Sequence, residues 1–197
     1  FEAIMIGQRV HGQSEAPQDP ALYPAEVMAL DMEVVIPAPG LGSDYDLVGY
    51  SMGSRLATMM VARGLTPRRL ILGGMALNGI VDWRPRRQYY LDALDRFETS
   101  KPGDEHYWAI SFMKTVKVDP VALKLLLLTM DDIPRQSLAA LTMPTQILYA
   151  SGDTDPASAD DLAAALPNAT RSVIPGNHMS CITMPEFGTV MADYLTA

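Results

Sequence analysis

The stretch that most limits what this chain can fold into is Asp46 to Arg63, where a short apolar run, a glycine-flanked serine and a helix-forming segment follow without a break. Asp46-Leu47-Val48 is too short for a helix and reads as a buried strand. Gly49-Tyr50-Ser51-Met52-Gly53 then turns the chain, and Ser54 to Arg63 has helical spacing that stops at Gly64, a good C-terminal signal. A serine on so sharp a strand-to-helix turn has a strained backbone, and its neighbours must be small. The turn lifts the hydroxyl above the sheet edge, beside a helix N-terminus whose free N–H groups favour negative charge. Ser51 is therefore the candidate nucleophile.

Further short apolar runs bounded by turn residues predict strands at Ala3 to Ile6, Tyr45 to Val48, Leu70 to Leu72, Gln146 to Ala150 and Arg171 to Ile174. Helical spacing falls between them, at Asp160 to Leu166 with Ser158 and Asp161 as a capping box, and at Glu186 to Leu195. Strands alternating with helices imply an α/β fold, a mostly parallel sheet flanked by helices. The alternation breaks between about Asn78 and Leu141, which hold helix-like segments and no strand-like run. Residues 1–77 and 142–197 are thus expected to form the core, and 78–141 a small helical lid. Pro37, Pro39 and Gly40 predict that a helix entering Glu33 to Leu41 ends early.

A serine hydroxyl needs a general base, and the base needs a carboxylate to hold its tautomer. The chain has three histidines. His178 lies in Pro175-Gly176-Asn177-His178, just past a predicted strand, and such loops share the sheet edge with the Ser51 turn. His106 falls in the lid, and His11 follows the first predicted strand. Asp155 and Asp153, in Ser151-Gly152-Asp153-Thr154-Asp155-Pro156, leave the preceding strand on the same edge. Asp155 precedes a proline and is biased to an extended conformation, whereas Asp153 suits the turn itself. Asp82 is a further alternative. The expected order is Ser51, Asp155, His178.

These segments together resemble the α/β-hydrolase superfamily over essentially the whole chain. Asp46 to Gly53 is similar to its nucleophile elbow, Gly152 to Asp155 to its Gly-x-x-Asp acid loop, and Pro175 to His178 to its histidine loop. Val10-His11-Gly12-Gln13-Ser14 resembles the family's Gly-His-Gly-x-Ser turn, with Val10 in place of the first glycine. The resemblance implies a serine hydrolase cleaving a carboxylic ester through an acyl-enzyme, with no cofactor and a small ester-like substrate. It equally leaves a carbon–carbon bond hydrolase, or a binding module that has lost its oxyanion loop.

The departure from the family lies at the N-terminus. About three strands normally precede the one resembling Ala3 to Ile6, and the loop after the third carries one oxyanion donor; the resemblance makes the Met52 N–H, which follows the nucleophile, the other. Loss of such a donor costs ~100- to 1,000-fold in rate, so this chain alone is expected to be a poor catalyst. The expectation is that a longer native chain or another chain supplies those strands.

Aromatic and thioether side chains offer an apolar pocket, namely Tyr50 at the turn with Trp83, Tyr90, Trp108 and Met113 in the lid. Arg84, Arg86 and Arg87 form a solvated face. The net charge of −8, with basic residues scattered, argues against nucleic acid. Leu125 to Leu128 falls far short of the ~20 apolar residues of a membrane helix. A single cysteine, Cys181, excludes an internal disulfide and fits a reducing, cytoplasmic setting. Separated histidines and one cysteine predict no catalytic metal.

Overall fold

The computed structural model describes residues 2–37, 40, 44–153 and 156–197; Asp155 lies outside the described residues. It divides into two compact units, one holding residues up to Val34 with Trp83–Asp131, the other Val35–Asp82 with Asp132–Ala197. The N-terminal residues therefore group with the helices of 83–131, whereas the sequence places 1–77 with the sheet.

Among the described residues the second unit is built on the strands β1 (Leu47–Tyr50), β2 (Leu70–Gly73), β3 (Thr145–Ala150) and β4 (Ala169–Ile174). They lie in the order β1-β2-β3-β4, every neighbouring pair parallel. In chain order the helices are α1 (Val27–Val35), α2 (Met52–Ala62), α3 (Leu77–Val81), α4 (Arg84–Asp95), α5 (Tyr107–Thr115), α6 (Pro120–Thr129), α7 (Pro156–Ala165) and α8 (Pro185–Thr196). None of the described helices is long and apolar enough to cross a membrane.

Burial in the strands follows their place in the sheet. Central β2 and β3 are buried at every position, while β1 and β4, at the two ends, are not. Successive side chains point to opposite faces. Leu70, Leu72 and Ile147 join one apolar cluster with residues of α2, α3 and α7. Ile71, Leu148 and Ile174 join another with Cys181, backed by Phe187, Val190 and Met191 of α8. The sheet is thereby covered on both faces, as parallel sheets require.

Two expectations need correction. The segment Ala3 to Ile6 is not a strand; residues 2–8 carry no regular structure. Its apolar run has no strand to pair with in the sheet, and strand formation depends on cross-strand packing more than on intrinsic preference. Helix α7 starts at Pro156, so Ser158 and Asp161 sit inside it and form no capping box. Proline is favoured at a first helical position, where a missing N–H costs nothing. Ser158 is buried and its Oγ accepts the Asn78 N–H at 3.2 Å. The early end of the helix before Pro37 is observed, α1 stopping at Val35.

Helix α2, which follows Ser51, is tied to α3 by a buried cation. Arg55, 1% exposed, donates through Nη1 to the carbonyls of Gly79 at 2.9 Å and Ile80 at 2.5 Å. Those carbonyls close the C-terminal end of α3, where the helix dipole favours positive charge. Hydrogen bonds to a charged group contribute about 1.5–3 kcal/mol each. Arg55→Met, which keeps most of the volume, should lower the unfolding free energy by about 2 kcal/mol or more in urea titration.

Candidate active site

Ser51 caps α2 with φ 53° and ψ −119°, a region in which a serine is strained. Three contacts hold it there. The Ser51 N–H donates to the Gly73 carbonyl at 2.8 Å, and the Ser54 N–H donates back to Ser51 O at 2.9 Å. The buried Ser54 hydroxyl lies 2.9 Å from Gly49 O and 2.8 Å from Gly73 O, sharing its one proton between them. The two glycines of the turn do different work. A Cβ on Gly49 would stand 2.3 Å from Gly53 O, whereas one on Gly53 would meet open space. The absence of a side chain is thus required at Gly49 and not at Gly53.

His178 reaches the same place from a turn past β4. The Asn177 Oδ1 accepts the N–H groups of Met179 and Ser180 at 3.0 Å each, and Ser180 Oγ accepts the Asn177 N–H at 2.9 Å. Gly176, at φ 98°, turns the chain, and its carbonyl accepts the Gly152 N–H at 2.7 Å. The loop after β3 and the loop after β4 are thereby laced together at the C-terminal edge of the sheet. In this setting His178 Nε2 lies 2.9 Å from Ser51 Oγ. Both residues are half-buried, within reach of a substrate. The Met52 N–H, first of α2, donates to no backbone carbonyl among the described residues.

The other expected residues divide. Asp155 falls outside the described residues. Asp153 serves its own turn, its N–H donating to Ala150 O at 3.0 Å and its carbonyl accepting Tyr149 Oη at 3.0 Å. Asp82 caps α3 and is exposed. Tyr50 packs against the histidine loop, its hydroxyl donating to the His178 carbonyl at 2.6 Å. The remaining pocket residues belong to the other unit. There Trp83 and Met113 are buried, Tyr90 is half-buried, and Trp108 is 80% exposed.

His106 is buried in that unit with its ring 4.6 Å from that of Tyr89, and His11 accounts for Nδ1 locally, 2.9 Å from Arg9 O. Among the described residues no three His, Cys, Asp or Glu side chains are grouped as a metal site would be. The part of Tyr50 was not legible beforehand, because its partners lie 128 and 131 residues away.

Solved structures share the fold. An esterase from Exiguobacterium antarcticum superposes with a TM-score of 0.73 at 19% identity, covering 96% of this chain and 80% of that one. A thermophilic esterase from Thermogutta terrifontis gives 0.72 at 22% identity, with 96% and 77% covered. The enol-lactonase of Burkholderia xenovorans gives 0.67 at 22% identity, with 96% and 79% covered. The fold is that of the α/β-hydrolases. No family model matches the sequence, and no curated protein matches it.

Within the α/β-hydrolase fold the two turn glycines make separable predictions. Gly49→Ala should destabilise by about 3 kcal/mol, since backbone cannot yield to the added carbon as a side chain would. Gly53→Ala should be neutral or stabilising by up to about 1 kcal/mol, because alanine is the better helix former. Thermal unfolding of the two variants side by side checks the contrast.

Proposed function

We propose that the protein is a serine hydrolase cleaving carboxylic esters through an acyl-enzyme. The observation that carries this reading is the 2.9 Å contact between Ser51 Oγ and His178 Nε2, made by a serine held at φ 53°. A hydroxyl at that distance passes its proton to the imidazole as its oxygen bonds the ester carbonyl carbon. The resulting oxyanion faces the Met52 N–H and the positive end of α2. The protonated imidazole then gives its proton to the leaving alcohol as the carbon–oxygen bond breaks. In the second half-reaction His178 takes a proton from water as the water oxygen bonds the acyl carbon, then returns that proton to Ser51 Oγ as the carbon–Oγ bond breaks and the carboxylic acid leaves. The role of Asp155 is to orient His178 and stabilise the imidazolium. The fold is shared with two esterases and an enol-lactonase, which supports ester and lactone bonds as the substrate class.

A fluorophosphonate probe should label the protein, and Ser51→Ala should abolish labelling. His178→Ala should slow it by about 100- to 10,000-fold. Labelling should also slow toward acid pH, where a protonated imidazole accepts nothing. Unlabelled wild-type protein would leave the binding-module reading in its place. Asp155→Asn and Asp153→Asn separate the two carboxylates. Hydrolysis of p-nitrophenyl esters should fall by a factor on the order of 10,000 in the first and stay near wild type in the second.

A further inference from the structure

The side chain just before the nucleophile is bound to the backbone of the residue that carries the base. Besides donating to the His178 carbonyl at 2.6 Å, Tyr50 sets its ring 5.3 Å from the imidazole, tilted by 36°. Phe187 of α8 closes edge-on against the other side of the phenol at 5.4 Å. The seat beneath is cut to fit. An added Cβ would stand 2.8 Å from Tyr50 Cδ2 at Gly73 and 2.6 Å from Tyr50 Cζ at Gly74.

Proton counting fixes the direction of the bonds. The phenol has one hydrogen, and the His178 carbonyl can only accept. Cys181 Sγ lies 3.1 Å from Tyr50 Oη and 3.8 Å from the same carbonyl, so its one hydrogen is shared between a phenol oxygen and a carbonyl that the phenol already holds. Cys181, 1% exposed, otherwise has no part in the proposed chemistry. Burial above all raises the Tyr50 pKa far above its ordinary value. The phenol keeps its proton wherever an imidazole works as a base.

We propose that Tyr50 is the positioning residue for His178. Its hydroxyl, held by the Cys181 thiol, fixes the backbone of the base relative to Ser51. Because Tyr50 and Ser51 are adjacent, any shift of the turn carries the histidine loop with it, and the 2.9 Å contact survives. The inference rests on reading Ser51 and His178 as a catalytic pair.

Tyr50→Phe keeps the ring and removes only the hydroxyl, so the fold should persist. On a p-nitrophenyl ester, kcat should fall about tenfold, the worth of one hydrogen bond, with KM within about twofold. The His178 ring resonance should shift or broaden while those of His11 and His106 stay in place. Cys181→Ser, which keeps a donor, should hold kcat within about threefold of wild type, and Cys181→Ala should fall further. Wild-type kcat in Tyr50→Phe with an unmoved His178 resonance would overturn the proposal. So would a rise in KM at constant kcat, which would make Tyr50 a substrate contact. Wild-type protein that neither hydrolyses esters nor takes the probe would sink the hydrolase reading, while the His178 resonance would still judge the tether.

Discussion

The Gly73 carbonyl is the point on which the Ser51 turn hangs. It receives the Ser51 N–H at 2.8 Å and lies 2.8 Å from the Ser54 hydroxyl. The strain at Ser51 is worth roughly 1–3 kcal/mol and persists only where the surroundings over-determine it. Two hydrogen bonds to one buried carbonyl, at about 1 kcal/mol each, offset much of that. They also place the hydroxyl by the end of β2, a fully buried strand, and not by β1 alone. The nucleophile of the proposed reaction therefore takes its rigidity from the neighbouring strand.

From this anchor the C-terminal edge of the sheet is stitched sideways. The Gly74 N–H donates to Leu148 O, the Ser151 N–H to Ile174 O, and the Gly152 N–H to Gly176 O. Each bond continues the parallel ladder one step past its strand. The loops after β3 and β4 are thus extensions of the sheet, which is why a histidine 127 residues from Ser51 can be held at 2.9 Å. Glycines recur here for a steric reason. At Gly152 a Cβ would stand 2.8 Å from Gly176 O, so the two loops approach this closely only because Gly152 carries no side chain.

Much of this was legible in the sequence, and the gaps have physical causes. The strands β2, β3 and β4 and the helices α2 and α8 stand out by local spacing, because each buries its face against the same sheet. That Ser51 and His178 approach each other was an expectation the sequence could carry, because each sits just past a strand on the same edge of a parallel sheet. What escaped was relational. Ala3 to Ile6 has a strand's composition but lacks a neighbour to pair with. Ser158 has a cap's composition but faces Asn78 from within α7. Gly53 looks as constrained as Gly49, and only the distance to the facing backbone separates them.

Val10 shows how far a departure from the family pattern can be accommodated. It stands where the resemblance has a glycine, and its φ of 71° is the left-handed conformation glycine adopts freely. For an L-residue that geometry costs roughly 1–2 kcal/mol. Val10 is, however, only 5% exposed, and burying a valine side chain returns about 1.5–3 kcal/mol. Its N–H still closes the turn by donating to Glu15 O at 3.0 Å. The substitution therefore costs little, because burial offsets strain of similar size. The proposed reaction allows no such exchange at Ser51, since its nucleophile must meet a substrate. Hydrogen bonds to Gly73 do there what apolar burial does at Val10, and they hold the turn with Ser51 only half-buried.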